Sequence, residues 1–351
     1  MDHASENRRP AADDGKLLTI CVPSYNAEST LDRCLTSLCS HRMAQREEVL
    51  VIDDGSTDGT ARLALQYEQR YPGIVRLISK PNGGHGSAIN RALEEAQGRY
   101  FKNVDSDDWV EPEALAALLD RLAGPETADL YSSDYDIVFP DGKTVPQYAP
   151  ETVVPDRVYR FSDLDADSIY FTIHSMTIRT ELLHRSPRRL QEHTFYVDCE
   201  YILFPIPFVE TFVFVREPLY RYAQGNSAQS VDLQNMIRRY DQHDRVMRSV
   251  IDYGNETPMS PEAKRYYDAV LRRLLYTHDG LSLLHDNDRT RARARAAAFR
   301  TYLEQARPDL AKECRRRQRS LRWMLHMPEY AWALAPFVKL GLAQPTEGVS
   351  T

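Results

Sequence analysis

The chain has 351 residues, 42% hydrophobic and 27% charged, which is enough apolar material for a sizeable core and for two or three folding units. A net charge of -7 disfavours a general nucleic-acid binder, and a mean hydropathy of -0.52 excludes a polytopic membrane protein. Five cysteines (Cys21, Cys34, Cys39, Cys199, Cys314), none in a CxxC pair, argue against a disulfide scaffold and against a structural zinc site. Residues 1–15 are polar, lack the apolar stretch of a signal peptide, and predict a disordered tail on a cytoplasmic protein.

From Lys16 onward, apolar runs alternate with helical patterns. Leu17 to Val22 predicts a strand closed by Pro23, and Leu31, Cys34, Leu35 and Leu38 then recur at helical spacing. Val49 to Ile52 predicts a second buried strand, ending in the turn-rich Asp53-Asp54-Gly55-Ser56-Thr57-Asp58-Gly59. A helix through Ala61, Ala64 and Tyr67 follows and stops before Pro72. Val75 to Ile78 predicts a third strand. Asn82-Gly83-Gly84-His85-Gly86 leads into a helix over Ser87 to Gln97, with Gly98 as its cap. Tyr100 to Val104 predicts a fourth strand, ending in Asp105-Ser106-Asp107-Asp108, and Pro112 suits the first turn of a helix that closes at Gly124.

This β-α-β-α-β-α-β-α order predicts an α/β fold, a mostly parallel sheet with helices on both faces. Residues 126–230 are less regular, with Tyr, Phe and Val runs such as Phe212 to Val215, and predict a few strands and short helices attached to the same sheet. From Val231 to about 345, Arg- and Leu-rich helical patterns predict a C-terminal helical region.

Ligands of such sheets bind beyond the carboxyl ends of the strands, and four polar clusters stand there. Three carboxylates within Asp105 to Asp108 are electrostatically costly together, and a divalent cation relieves that cost. Hard oxygen ligands suit Mg²⁺ or Mn²⁺. The structural alternative is a solvated turn in which Asp108 caps the helix beginning near Glu111. A carboxylate at Asp53 or Asp54 could accept the imide N–H of uracil, or simply cap a tight turn. The Gly-rich loop at Asn82 could admit a diphosphate. It has neither the dinucleotide spacing GxGxxG nor the P-loop spacing, so neither class is supported.

The runs Ile20-Cys-Val-Pro-Ser-Tyr-Asn26, Val51-Ile-Asp-Asp-Gly-Ser-Thr-Asp58, Asn82-Gly-Gly-His-Gly-Ser-Ala-Ile-Asn90 and Asp105-Ser-Asp-Asp108 together resemble glycosyltransferase family 2. The resemblance covers residues 16–125. It implies the glycosyltransferase A-type fold, a nucleotide-sugar donor, usually UDP-linked, and an inverting transfer that needs a divalent metal. By this resemblance Pro23 and Tyr25 line the nucleoside, and Asp53 and Asp54 contact uracil and ribose, with the base reader left open between them. Asn82, Gly83 and Asn90 stand beside the diphosphate and sugar. Asp105 lies near the ribose and sugar and Asp107 near the metal, the two forming the metal-binding pair. The family's late catalytic carboxylate falls in Phe195-Tyr-Val-Asp198-Cys-Glu200-Tyr201, where its Glu-Asp pattern is half met. Asp198 is the first candidate base and Glu200 the second. The Gln-x-x-Arg-Trp motif of processive polysaccharide synthases is absent from the sequence.

The implied units are a catalytic domain over 16–230, with a donor half at 16–125 and an acceptor half at 126–230, and the helical region at 231–345. The implied function is cell-envelope or capsular polysaccharide synthesis, moving a sugar from a UDP-sugar to a hydroxyl of a glycan or lipid-linked acceptor. His85, His174 and His193 are further candidates for donor, acceptor or metal contacts, set against ordinary structural hydrogen bonding. Arg315, Arg316, Arg317, Arg319 and Arg322 precede Trp323, Leu325 and Trp332. Residues 312–343 therefore predict either a peripheral contact with the inner face of the cell membrane or a helix packed on the catalytic domain or on a second copy. The competing classes are a nucleotidyltransferase-like enzyme, for which the basic Gly-rich N-terminal loop is missing, and a non-catalytic sugar-binding module. No nucleic-acid partner is implied.

Overall fold

The computed structural model describes residues 15–42, 44–125, 127–225, 232–281, 286 and 288–325, the last nine of these as backbone alone. Among the described residues ten strands form one mixed sheet, eight of them in the order β3-β2-β1-β4-β9-β6-β10-β5, with β7 paired to β6 and β8 to β10. The central strand β1 (Leu18–Ser24) is buried along its whole length, as an apolar run covered on both faces requires. It pairs in parallel with β2 (Glu47–Asp53) and β4 (Tyr100–Asn103), and β2 pairs in parallel with β3 (Val75–Ser79).

Alternation along these strands sorts the core into two layers. Leu18, Ile20, Val22, Val49 and Val51 pack with Leu35 and Leu38 of α1 (Leu31–Cys39), Ala64 of α2 (Thr60–Arg70) and Leu115 and Leu119 of α4 (Pro112–Ala123). Cys21, Leu50 and Ile52 face the other way, onto Ala88, Ile89 and Ala92 of α3 (His85–Glu95). The helix expected at Ser87 to Gln97 thus starts two residues earlier and ends two earlier. Gly98 is not its cap. A Cβ there would stand 2.2 Å from the Thr19 backbone nitrogen, so the glycine permits close approach to β1.

The sheet continues through the less regular half. The short β5 (Trp109–Val110) follows β4, and then come β6 (Leu130–Val138), β7 (Thr144–Gln147), β8 (Val158–Tyr159), β9 (Met176–Arg179) and β10 (Phe212–Ala223). β9 inserts antiparallel between β4 and β6, and β10 lies parallel to β6. Two short helices, α5 (Thr180–Arg185) and α6 (Asp198–Leu203), complete this half. Helices α7 (Leu233–Arg238), α8 (Tyr240–Glu256), α9 (Pro261–Gly280), α10 (Arg289–Ala306) and α11 (Pro308–Leu325) follow. Val250, Tyr267, Phe299 and Leu310, one from each of α8 to α11, join the same core layer as Phe171 and Phe212. The helical region therefore closes the face that α3 leaves open. Among the described residues no helix is long and apolar enough to cross a membrane.

Candidate active site

Four loops leave the carboxyl ends of β1, β2, β3 and β4 on one edge. Between those after β1 and β4, the start of α3 and the segment before α6 opens a cleft of about 570 Å³. Pro23 and Tyr25 line it from the end of β1, Asp105 and Asp107 from the turn after β4, and His85 from the first turn of α3. His174, Asp198 and Tyr222 line it from the second half. Tyr25 and Phe195 are exposed at its rim, and Arg239 lies 3.7 Å above the Phe195 ring.

The turn after β4 separates its carboxylates by direction. The Asp108 N–H donates to the Asp105 carbonyl at 3.0 Å, which closes the turn. Asp108 then points inward, accepting from the Tyr220 hydroxyl at 2.5 Å and the Ala223 N–H at 2.7 Å. It is not a helix cap: Glu111 occupies that position before α4. Burial, with the charges of Asp105 and Asp107, pushes the Asp108 carboxyl well up. Asp107 faces the cleft, its carbonyl accepting from the Arg33 guanidinium at 2.8 Å. Asp105 accepts from His85 Nε2 at 2.9 Å and Asn103 Nδ2 at 2.8 Å. Burial alone would raise its pKa, but His85 above all overrides this and takes it down to about 2. In return, His85 is raised against the lowering effect of its burial, chiefly by Asp105.

Asp105, Asp108 and His174 bring their ligand atoms within 4.8 Å of one another. The expectation for the metal was Asp105 and Asp107. The close set instead contains Asp108 and His174, because the turn folds Asp108 inward and Asp107 outward. His174 sits in a box of tyrosines, its ring centroid 4.2 Å from Tyr222, 4.9 Å from Tyr220 and 5.4 Å from Tyr135. The buried Lys102 amine fixes its backbone by donating to the His174 carbonyl at 2.7 Å. Burial first, then the Lys102 charge, lowers the His174 imidazole to about 4, so it stays neutral and able to ligate.

Asp198 is the first residue of α6 and is exposed in the cleft, whose walls desolvate it in part. That desolvation is the main reason its carboxyl titrates above the ordinary range, with His85 opposing and Asp105 reinforcing the rise. Glu200, two residues on, is fully buried and faces away. It accepts from the Gln191 N–H at 2.9 Å, Gln191 Nε2 at 2.8 Å and the Ser249 hydroxyl at 2.6 Å, tying the loop before α6 to α8.

The second and third motifs bind one another, and of their residues only His85 lines the cleft. Asp53 caps its own turn by accepting from the Ser56 N–H at 3.0 Å. Asp54 is buried and accepts from the Gly83 and Gly84 N–H groups at 2.9 and 2.7 Å and from Lys80 at 2.6 Å. Asn82 donates back to the Asp54 carbonyl at 2.9 Å. The Gly83 carbonyl takes the His193 N–H at 2.5 Å, and Gly84, at φ +83°, opens α3. Asn90 lies away from the cleft. Its amide is spent on both backbone groups of Leu190, at 2.9 and 3.1 Å, beside a separate cavity of about 210 Å³. Arg221 is paired with Glu111 and Asp136. Of the loop 225–230, all but Gly225 lies outside the described residues, as do the side chains from 317 and everything from 326, which include most of the predicted membrane segment. The described start of α11 packs inward through Leu310, Ala311 and Cys314. Sequence reasoning did not find Lys80, Lys102, Tyr220 or Tyr222, whose partners lie 26 to 112 residues away.

Residues 19–187 match the family model for glycosyl transferase family 2. A putative glycosyltransferase of Bacillus subtilis, EpsH, is 28% identical over 228 residues, covering 64% of this chain and 63% of that protein. The chain spans less than two thirds of the length of the curated relatives it matches. The crystal structure of S. aureus TarS 1-349 with UDP-GlcNAc superposes with a TM-score of 0.64 at 19% identity, over 88% of this chain and 92% of that one. The mannosyltransferase PcManGT of Pyrobaculum calidifontis, solved with GDP-Man and Mn²⁺, gives 0.54 at 18% identity, over 92% and 84%. These likenesses show the glycosyltransferase A-type fold.

Proposed function

We propose that the chain is an inverting glycosyltransferase of family 2, the family whose model residues 19–187 match. It moves a sugar from a uridine diphosphate sugar to an acceptor hydroxyl in cell-envelope or capsular polysaccharide synthesis. The observation that carries this reading is the cleft itself, where the turn carboxylates Asp105 and Asp107 and the carboxylate of Asp198 line one space of about 570 Å³.

In this reading residues 16–230 are the catalytic unit and 231–325 its helical support. Pro23 and Tyr25 hold the nucleoside. Asp53 and Asp54 shape the wall that reads the base, Asp54 through the backbone of Gly83 and Gly84. Asp198 accepts the proton of the acceptor hydroxyl. The oxygen forms a bond to the anomeric carbon as the bond from that carbon to the diphosphate oxygen breaks. The configuration inverts, and the proton rests on Asp198. A base that titrates above the ordinary carboxylate range is better matched to a hydroxyl than an ordinary one. Glu200 positions the loop in front of Asp198 and does not touch substrate.

The donor set fits a divalent cation of the Mn²⁺ or Mg²⁺ type: two carboxylates and a neutral imidazole lie within 4.8 Å of one another. Asp105, Asp108 and His174 would hold it, with Asp107 facing the cleft beside them. When bound, it supplies Lewis-acid neutralisation of the departing diphosphate. The start of α11 is packed on the core, and the membrane face and self-association are proposed for the part of 312–343 beyond it.

The test measures nucleoside diphosphate released from a panel of UDP- and GDP-sugars, with Mn²⁺, Mg²⁺ or EDTA. Turnover of a UDP-sugar that EDTA abolishes and Mn²⁺ restores is the expected result. Release from no sugar nucleotide under any condition, with no UDP binding by calorimetry, would overturn the reading.

A further inference from the structure

A second cavity, of about 370 Å³, lies beside the cleft and belongs to no motif of the family. Its walls are the β6–β7 hairpin, the segment before β9, and α9. Tyr148, just past β7, and Tyr170 present exposed surface there, 53% and 38% accessible, two of the few exposed large apolar groups among the described residues. Between them stand the amide of Gln147, the hydroxyl of Thr172 and the buried carboxylate of Asp134, which receives one hydrogen bond, from the Ala149 N–H at 2.8 Å.

The two spaces share a wall. Along residues 170–175, Ile173 and His174 line the cleft, whereas Tyr170 and Thr172 line the second cavity. The Tyr135 ring, 5.4 Å from that of His174, bridges the same partition.

We propose that this cavity is an acceptor subsite for a neutral oligosaccharide that reaches over the shared wall, with its distal sugar units here and its reacting hydroxyl at Asp198. A pyranose has a C–H face and a rim of hydroxyls. Tyrosine faces suit the first, and a carboxylate, an amide and a hydroxyl suit the second. Its volume admits about one or two sugar units on the scale of small-ligand pockets. Charge selects against a polyanion: among the described residues lining the cavity Arg273 is the sole cation. Its guanidinium is already engaged, lying 5.1 Å over the Tyr170 ring and donating to the Asp167 carbonyl. Asp134 would repel a phosphodiester chain. The inference rests on the glycosyltransferase reading and adds the class of acceptor to it.

The test uses the full chain loaded with UDP and Mn²⁺, probed by titration with cellohexaose, chitohexaose and maltohexaose, with the matching monosaccharides, and with a phosphodiester-linked polyol. At least one neutral hexasaccharide should bind at least tenfold more tightly than its monosaccharide. Tyr148→Ala should weaken that hexasaccharide about tenfold while leaving the monosaccharide and UDP within twofold. Because Tyr148 is exposed, this variant should keep the wild-type melting temperature; Tyr148→Phe, which retains the ring, should restore the affinity. UDP binding without binding of any neutral hexasaccharide would overturn the subsite, as would tighter binding of the phosphodiester polymer. So would Tyr148→Ala binding the hexasaccharide as wild type does. Failure to bind any nucleotide would instead sink the underlying glycosyltransferase reading.

Discussion

Asp198→Asn and Glu200→Gln are both single-atom changes two residues apart, and the structure assigns them opposite consequences. Asp198 is exposed in the cleft and its carboxylate takes only backbone N–H groups at the start of α6, so the change to Asn should cost under about 0.5 kcal/mol of stability, as for an exposed site. As the base it should cost transfer about 10²- to 10⁴-fold, with donor binding kept. Glu200 accepts three hydrogen bonds at 2.6 to 2.9 Å in a fully buried site. A carboxamide turns one acceptor into a donor. It therefore leaves a buried N–H or hydroxyl facing another donor, a penalty of about 1–3 kcal/mol. Urea unfolding and UDP release, measured on both variants, separate these effects. The wild-type rate should also fall on acidification through a pKa above the usual carboxylate range, since Asp198 must be ionised to accept a proton and desolvation by the cleft walls raises its titration. Asp198→Asn should lose that limb. If Glu200→Gln is inactive at unchanged stability while Asp198→Asn turns over normally, the assignment of the base is refuted.

Asp54→Ala should lose about 1–3 kcal/mol in urea unfolding, because it strands the half-buried Lys80 amine and the Gly83 and Gly84 N–H groups. UDP affinity should fall with it, and a variant unchanged in both would show that the loop is held by other means. The buried pair His243 and His278, linked at 2.9 Å through their Nδ1 atoms, sets an acid limit on stability. Burial, and then the neighbouring His278, depress the His243 imidazole from 6.5 to about 3, so the unfolded chain takes up its proton first. That contribution is complete above pH 6.5 and is lost progressively as pH falls towards 3, reaching about 2 kcal/mol at pH 5 from 1.36 kcal/mol per unit. His243→Gln should flatten this slope in unfolding curves measured from pH 7 to 5, and an unaltered slope would rule the pair out as its source.

The donor half was legible because its chemistry is local. Each strand ends in its own polar cluster, so reading β1 to β4 in order also reads the cleft edge from Pro23 to Asp107. The rest depends on contacts that no local pattern announces. Asn90 and Glu200 stand at motif positions, yet Leu190 and Ser249 take their hydrogen bonds from 100 and 49 residues away. Conversely, His174 has no motif. It enters the cleft because β9 inserts antiparallel beside β4 and because Lys102, buried on β4, holds its carbonyl. The direction of Asp108 was likewise invisible, since the hydroxyl that turns it inward belongs to Tyr220 on β10. Asp54 shows the same division at closest range. Its place at a strand end marks it for a ligand, while its hydrogen bonds go to the loop that forms the ligand's wall. A polar residue at such an edge can thus serve the substrate directly or by shaping the backbone beside it. The sequence position is the same in both cases, and the partner across the sheet decides which role it takes.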